Sequence, residues 1–307
     1  MQKKVYCALK DFSPEARELL NEAGFELVVN GAWDAPNGDE LIDLLSRFDI
    51  VITGVATKYT QEILSTIDCP KLIASFSVGL DHIAPEFFRS NLVKIVNIKT
   101  ANAEAVAEHI FALMLALNKR IDEGYGLVLT GRGHKKNLIE RPRDLCGQTL
   151  GLIGAGSISQ EVARIAQAFN MRVLCYTRNP ELHRDLAVEF VGLDEVLAES
   201  DVVNVSLPLN NETRGLISSD KLSLLKKRST FINTSRAEVV DMEALFARID
   251  TNENFYVGLD IDVDQYKKLI ERPRRNVIIT PHTAGVSEQA IYNMDLEIAR
   301  KIIEEFM

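Results

Sequence analysis

The sequence predicts an α/β fold of two doubly wound parallel-sheet domains, the second inserted into the first, and three observations carry that expectation. Its 307 residues exceed what one hydrophobic core usually supports. Short apolar runs alternate with amphipathic stretches in two separate series, divided by an irregular segment. A last helical stretch follows the second series, as expected of a chain that returns to the domain it began.

The first series alternates strand-like and helix-like stretches: Lys4 to Leu9, Ser13 to Ala23, Phe25 to Val29, Gly38 to Leu45, Ile50 to Ile52, Gln61 to Ile67 and Leu72 to Ser75. An Ala/Leu-rich helix is expected from Ala103 to Arg120, apolar around much of its circumference and so buried. Residues 121–146 carry glycines and charges with weak periodicity, which reads as an exposed arm. The second series predicts strands at Thr149 to Ile153, Arg172 to Tyr176, Val202 to Leu207, Thr230 to Asn233, Phe255 to Leu259 and Val277 to Thr280. Helices are expected between them at Ser157 to Ala168, Leu193 to Ala198, Ser219 to Leu225 and Asp241 to Arg248. Ser287 to Met307 keeps one helical period and should pack back on the first domain. The expected boundaries are 1–100 with 286–307 for the first domain and 101–285 for the second.

Composition excludes several function classes. A net charge of -9 argues against nucleic acid, which needs a concentrated basic face. The longest apolar stretch, Ile110 to Leu117, falls well short of the roughly 20 residues that cross a bilayer, so no membrane partner is expected. The start, Met1-Gln-Lys-Lys, leads into too few apolar residues for a secretory signal. Cys7, Cys69, Cys146 and Cys175 are scattered without metal-ligand spacing; they read as reduced thiols in a cytoplasmic protein, with no metal site.

The segment Thr149 to Ser159 sets an apolar strand before a glycine turn and a helix N-terminus, an arrangement that binds a pyrophosphate through main-chain N–H groups and the helix dipole. Gly154 would make the tight turn, and Gly156 would let the backbone approach the phosphates. Ser159 stands where a glycine or alanine is usual. The following strand ends Tyr176-Thr177-Arg178 without the acid that receives ribose hydroxyls, so Arg178 is free to meet a 2′-phosphate. That favours NADP(H) and leaves NAD(H) open.

Three polar residues fall at expected strand ends: Arg236, Asp260 and His282. The carboxyl ends of strands border the ligand crevice of an open α/β sheet. Reduction of a 2-oxo acid needs a cation on the carboxylate and carbonyl, and an acid that protonates the developing alkoxide. Arg236 and His282 have that chemistry.

Six stretches then resemble, in order, the D-isomer-specific 2-hydroxyacid dehydrogenase family, which includes glyoxylate/hydroxypyruvate reductases and phosphoglycerate dehydrogenases. They are Ser77 to His82, Ala101 to His109, Thr149 to Ser159, Ser206 to Leu209, Ile232 to Asp241 and Thr280 to Gly285. The resemblance implies two Rossmann-like domains, a cofactor domain inserted into a substrate domain, and a homodimer through the cofactor domains. It implies that Val78 and Gly79 offer N–H groups to the substrate carboxylate, that Arg236 binds substrate and that His282 is the acid/base. It further implies cofactor contacts from Ser157, Ile158, Thr177, Pro208, Thr213, Thr234, Asp260, His282 and Gly285, beside the two glycines and Arg178.

Two departures from the family pattern matter. A glutamate normally pairs with the histidine; here Gln265 holds the expected spacing and Asp264 precedes it. Asp264 is expected to replace the glutamate as a catalytic residue; the alternatives are an uncharged Gln265 contact with His282, or a catalytically weak dinucleotide-binding regulatory or scaffold protein. The loop Thr53 to Lys58 lacks the arginines that hold a phosphorylated substrate, which leaves small 2-oxo/2-hydroxy acids.

Overall fold

The computed structural model describes residues 2–31, 35–69, 71–138, 140–261 and 274–306. The chain forms two compact units, Met1–Asn102 with Glu288–Met307, and Ala103–Ser287.

The first unit opens with β1 (Lys4–Cys7), α1 (Pro14–Glu22), β2 (Glu26–Val29), α2 (Asp39–Arg47), β3 (Ile50–Thr53), α3 (Gln61–Leu64), β4 (Lys71–Ser75) and β5 (Val93–Asn97). The strands form one parallel sheet, β2-β1-β3-β4-β5. β3 and β4 are buried throughout, the mark of a parallel sheet covered on both faces. Ser13 caps α1 by accepting the Ala16 N–H, with Pro14 at the first helical position where no N–H is needed.

The second unit comprises α4 (Ala103–Lys119), α5 (Ile121–Leu129), β6 (Thr149–Ile153), α6 (Ser157–Ala168), β7 (Arg172–Tyr176), β8 (Glu189–Phe190) and α7 (Leu193–Glu199). It continues with β9 (Val202–Val205), α8 (Ser219–Leu224), β10 (Thr230–Asn233), α9 (Met242–Thr251), β11 (Tyr256–Asp260) and β12 (Val277–Thr280). All seven strands are parallel, ordered β12-β11-β10-β9-β6-β7-β8. The order reverses between β6 and β9, so the ligand crevice of this doubly wound sheet is expected at their carboxyl ends. One apolar cluster gathers α4 and α6 residues such as Ile110, Met114 and Val162 against one sheet face; another gathers Val196, Leu222 and Leu245 on the other.

The chain returns to the first unit as α10 (Glu288–Phe306), whose Met294, Ile298 and Ile302 pack with Val5, Leu20 and Ile52. The architecture is thus two parallel-sheet α/β domains, the second inserted in the first. One element is added within the segment expected as an exposed arm: it begins with the helix α5, of which Ile121, Tyr125, Val128 and Leu129 are exposed. Its glycines, Gly124 and Gly126, weaken the helical signal, while Arg120 at φ +60 turns the chain from α4 and pairs, buried, with Glu123 at 2.8 Å.

Candidate functional site

The glycine turn follows β6 directly. Gly154 has φ +109, and a Cβ there would lie 2.3 Å from the Ser206 carbonyl oxygen just beyond β9, so only glycine fits at the point where the strand order reverses. The turn is held by its own N–H donating to the Tyr176 carbonyl at 2.9 Å. The buried Cys175 thiol, pushed up to about 12 by desolvation, stays protonated and donates to the Gly154 carbonyl at 3.6 Å. This thiol is a core group and not a nucleophile.

Gly156 is the N-cap of α6, offers no side chain to that end, and has nothing within 4 Å of where a Cβ would stand. The first turn, Ser157, Ile158 and Ser159, contains no acid, so no carboxylate of that turn competes for the positive end of a twelve-residue helix. These features fit a pyrophosphate. Ile158 also packs against the core, and Ser159 is fully buried with its hydroxyl unpartnered among the described residues, which fits the close helix contact at this position.

Thr177, half-buried, and Arg178, exposed, follow β7, and Arg178 forms an ion pair with Glu212. A 2′-phosphate at Arg178 would have to compete with that carboxylate. The loop bearing Glu212 is closed by Thr213, whose hydroxyl donates to the Pro208 carbonyl at 2.6 Å, so Thr213 and Pro208 shape one turn. Thr234 follows β10 with a buried hydroxyl that has no partner among the described residues. Arg236, half-buried, donates to the Ser235 carbonyl at 3.0 Å, and Asn233 receives Ser235 while donating to the Arg236 carbonyl.

β11 and β12 align Asp260 with Thr280 in register. The Asp260 carboxylate is fully buried and accepts three hydrogen bonds: the Thr280 hydroxyl at 2.6 Å, the Thr283 N–H at 2.8 Å and the Ala284 N–H at 2.9 Å. This acid, expected at the nicotinamide, is engaged in building the turn 280–285, which carries both His282 and Gly285. Within the turn His282 takes φ +54, a left-handed conformation that costs a side-chain-bearing residue about 1–2 kcal/mol and is held in place by those bonds.

His109, on α4, was not singled out by the sequence pattern. Its Nε2 lies 2.9 Å from the Thr280 hydroxyl and 3.8 Å from Asp260. Because the Thr280 proton goes to Asp260, the hydroxyl oxygen accepts from His109, which fixes a proton on Nε2. The signal available is the stretch Ala101 to His109 itself, which ends on this half-buried histidine of α4. Asp264, with Gln265, lies outside the described residues.

In the first unit, Val78 and Gly79 sit in the loop after β4, and among the described residues neither N–H enters an internal hydrogen bond. The loop's carbonyls are held from within: Asn97 Nδ2 reaches the Val78 oxygen at 3.0 Å and the Ser77 Oγ reaches the Gly79 oxygen at 2.7 Å.

Residues 111–284 match the sequence profile of the NAD binding domain of D-isomer specific 2-hydroxyacid dehydrogenases. A hydroxypyruvate reductase of Thermotoga maritima is 34% identical over 272 residues, a match covering 87% of this chain and 88% of that protein. Two solved structures are similar at 28% identity. An acyclic imino acid reductase (Bsp5) in complex with NADPH and D-Arg has a TM-score of 0.88, covering 99% of this chain and 96% of its own. A D-lactate dehydrogenase from Aquifex aeolicus, complexed with NAD and lactic acid, has a TM-score of 0.84, with coverage of 99% and 95%. The glycine turn at the sheet's reversal, the Asp260-anchored histidine and these matches lead to one conclusion: the chain belongs to the D-isomer specific 2-hydroxyacid dehydrogenase family.

Proposed function

We propose that the protein is an NAD(P)-dependent dehydrogenase that reduces a small 2-oxo acid to the D-2-hydroxy acid. The observation that carries this reading is the buried Asp260 carboxylate, which locks His282 in a left-handed turn at the carboxyl edge of the sheet that also presents the Gly154 turn. A reduced nicotinamide, when bound, supplies the hydride. Arg236 holds the substrate carboxylate and polarises the carbonyl, and His282 delivers the proton that the alkoxide oxygen requires. One 2-oxo acid, one hydride and one proton give one hydroxy acid. In the reverse direction His282 takes the hydroxyl proton. Asp264 is the acid assigned to hold the charged imidazole.

Val78 and Gly79 give the carboxylate two further N–H donors. Gly154, Gly156, Ser157, Ile158, Thr177, Pro208, Thr213, Thr234 and Gly285 form the dinucleotide surface, with Asp260 behind it as the builder of the turn. Arg178 supports a preference for NADP(H), since β7 ends without an acid of its own, although Glu212 pairs with the guanidinium; the two structural relatives were solved with NADPH and with NAD. The reading includes a homodimer through the second unit, supported by Ile121, Tyr125, Val128 and Leu129 of α5, which present more than half of their surface to solvent. It also includes a cytoplasmic setting, in keeping with four free cysteines.

The test is oxidation of NADPH and NADH against hydroxypyruvate, glyoxylate, pyruvate and bulkier 2-oxo acids, with the chirality of the product determined. Turnover of a small acid to the D-isomer is expected. An L-product, or tight dinucleotide binding without turnover of any acid, contradicts the proposal.

A further inference from the structure

We infer that Asn97 is a positioning residue for substrate: it aims the two main-chain N–H groups that receive the substrate carboxylate. This rests on the carboxylate role proposed above for Val78 and Gly79. In a trans peptide the C=O and N–H of one plane point in opposite directions. The Gly79 N–H therefore shares its plane with the Val78 carbonyl, and the Val78 N–H shares its plane with the Ser77 carbonyl.

Asn97 ends β5, in register with Ser75 at the end of β4, and so stands beside the loop that β4 feeds. Its Nδ2 donates to the Val78 oxygen at 3.0 Å and approaches the Ser77 oxygen at 3.4 Å, with the Ile98 oxygen at 2.9 Å as its other close acceptor. One amide group thus draws the carbonyl ends of both peptide planes towards itself. The N–H ends must then point away from Asn97, side by side. Two parallel N–H groups make an anion-binding concavity suited to a carboxylate.

A second chain of bonds fixes the next peptide. Ser77 Oγ gives its only proton to the Gly79 oxygen at 2.7 Å, so it must accept from Ser75 Oγ at 2.8 Å. Ser75 has then spent its own proton and accepts from His82 Nε2 at 3.1 Å. All three of these side chains are buried. With the Gly79–Leu80 plane held in this way, the remaining freedom at the donor pair lies in the two planes that Asn97 holds.

The experiment compares the full-length protein with Asn97→Ala and with Asn97→Ser, which keeps one donor. Melting temperature and dinucleotide affinity serve as controls for folding, and the Ser variant carries the test should the Ala variant fail to fold. The substrates are the best 2-oxo acid of the wild type and its carboxamide, which lacks the charge that the N–H pair receives. The expected result is that KM for the acid rises about tenfold or more while kcat moves much less, and that the wild-type preference for acid over carboxamide shrinks by a similar factor. Asn97→Ser should fall between. If the variants fold, bind dinucleotide and keep both KM and the acid preference within twofold of wild type, the assignment of Asn97 is overturned while the dehydrogenase reading stands. A wild type that turns over no 2-oxo acid overturns both.

Discussion

Asp260 and Thr283 are joined across the edge of the sheet: a fully buried carboxylate at the end of β11 receives, at 2.8 Å, the N–H of the residue just after His282. The acid is the foundation of the histidine turn. Asp260→Asn keeps one acceptor oxygen and sets an amide against a main-chain donor. It should destabilise the protein by roughly 2–4 kcal/mol and lower kcat by about 100-fold through misplacement of His282. Urea melts and steady-state kinetics measure both. Unchanged kcat in a folded variant would show that the turn holds without the charge.

The two glycines of the turn proposed to hold the pyrophosphate should fail in different ways. Gly154→Ala places a Cβ against the Ser206 carbonyl at a φ that alanine disfavours, and should cost at least about 3 kcal/mol. Gly156→Ala meets no neighbour and should fold normally, yet bind dinucleotide about tenfold more weakly because its methyl enters the phosphate cradle. Thermal melts and fluorescence titration with NADH separate the two effects.

On the proposed reading, Arg178, ion-paired with Glu212, is the contact for a 2′-phosphate. Arg178→Ala should weaken NADPH by about tenfold or more and NADH much less, since one charge-assisted contact to phosphate is lost. Glu212→Gln should tighten NADPH severalfold by freeing the guanidinium and removing a repelling charge. Equal responses of both cofactors to both variants would remove Arg178 from this role.

Much of the second unit is legible in the sequence because parallel strands are nearly continuous apolar runs: Thr149 to Ile153 and Val277 to Thr280 are strands at those bounds. β5 is harder to read, since Lys94 and Asn97 interrupt its apolar residues, and α5 is hidden by its two glycines. The tight turn at Gly154 is legible because its signal is a local glycine motif. Asp260 as the builder of a turn, and His109 bonding to Thr280 across 171 residues of sequence, depend on long-range register that no local pattern carries.

Asp295 on α10 gives the first unit a pH dependence. Its Oδ2 accepts the Ser13 N–H at 2.8 Å, but its other oxygen is buried without a partner among the described residues, and desolvation raises the carboxyl from its ordinary value to about 6. Below pH 4 both folded and unfolded chains hold this proton. Between about 4 and 6 the unfolded chain loses it first, so this group lowers stability as pH rises, and the loss persists above 6. Asp295→Asn should therefore be more stable than wild type at pH 8 by roughly 1–2 kcal/mol, with the difference vanishing below pH 4. Urea melts at the two pH values decide it; a difference that does not change with pH contradicts the account.

The most direct test of the central claim is the rate of NAD(P)H oxidation by His282→Asn with the best 2-oxo acid. A fall of about 100-fold or more at saturating substrate is expected because the proton donor is removed, while dinucleotide affinity falls far less because the glycine turn is untouched and only one expected contact changes. A variant that keeps the wild-type rate would show that His282 does not carry the proton.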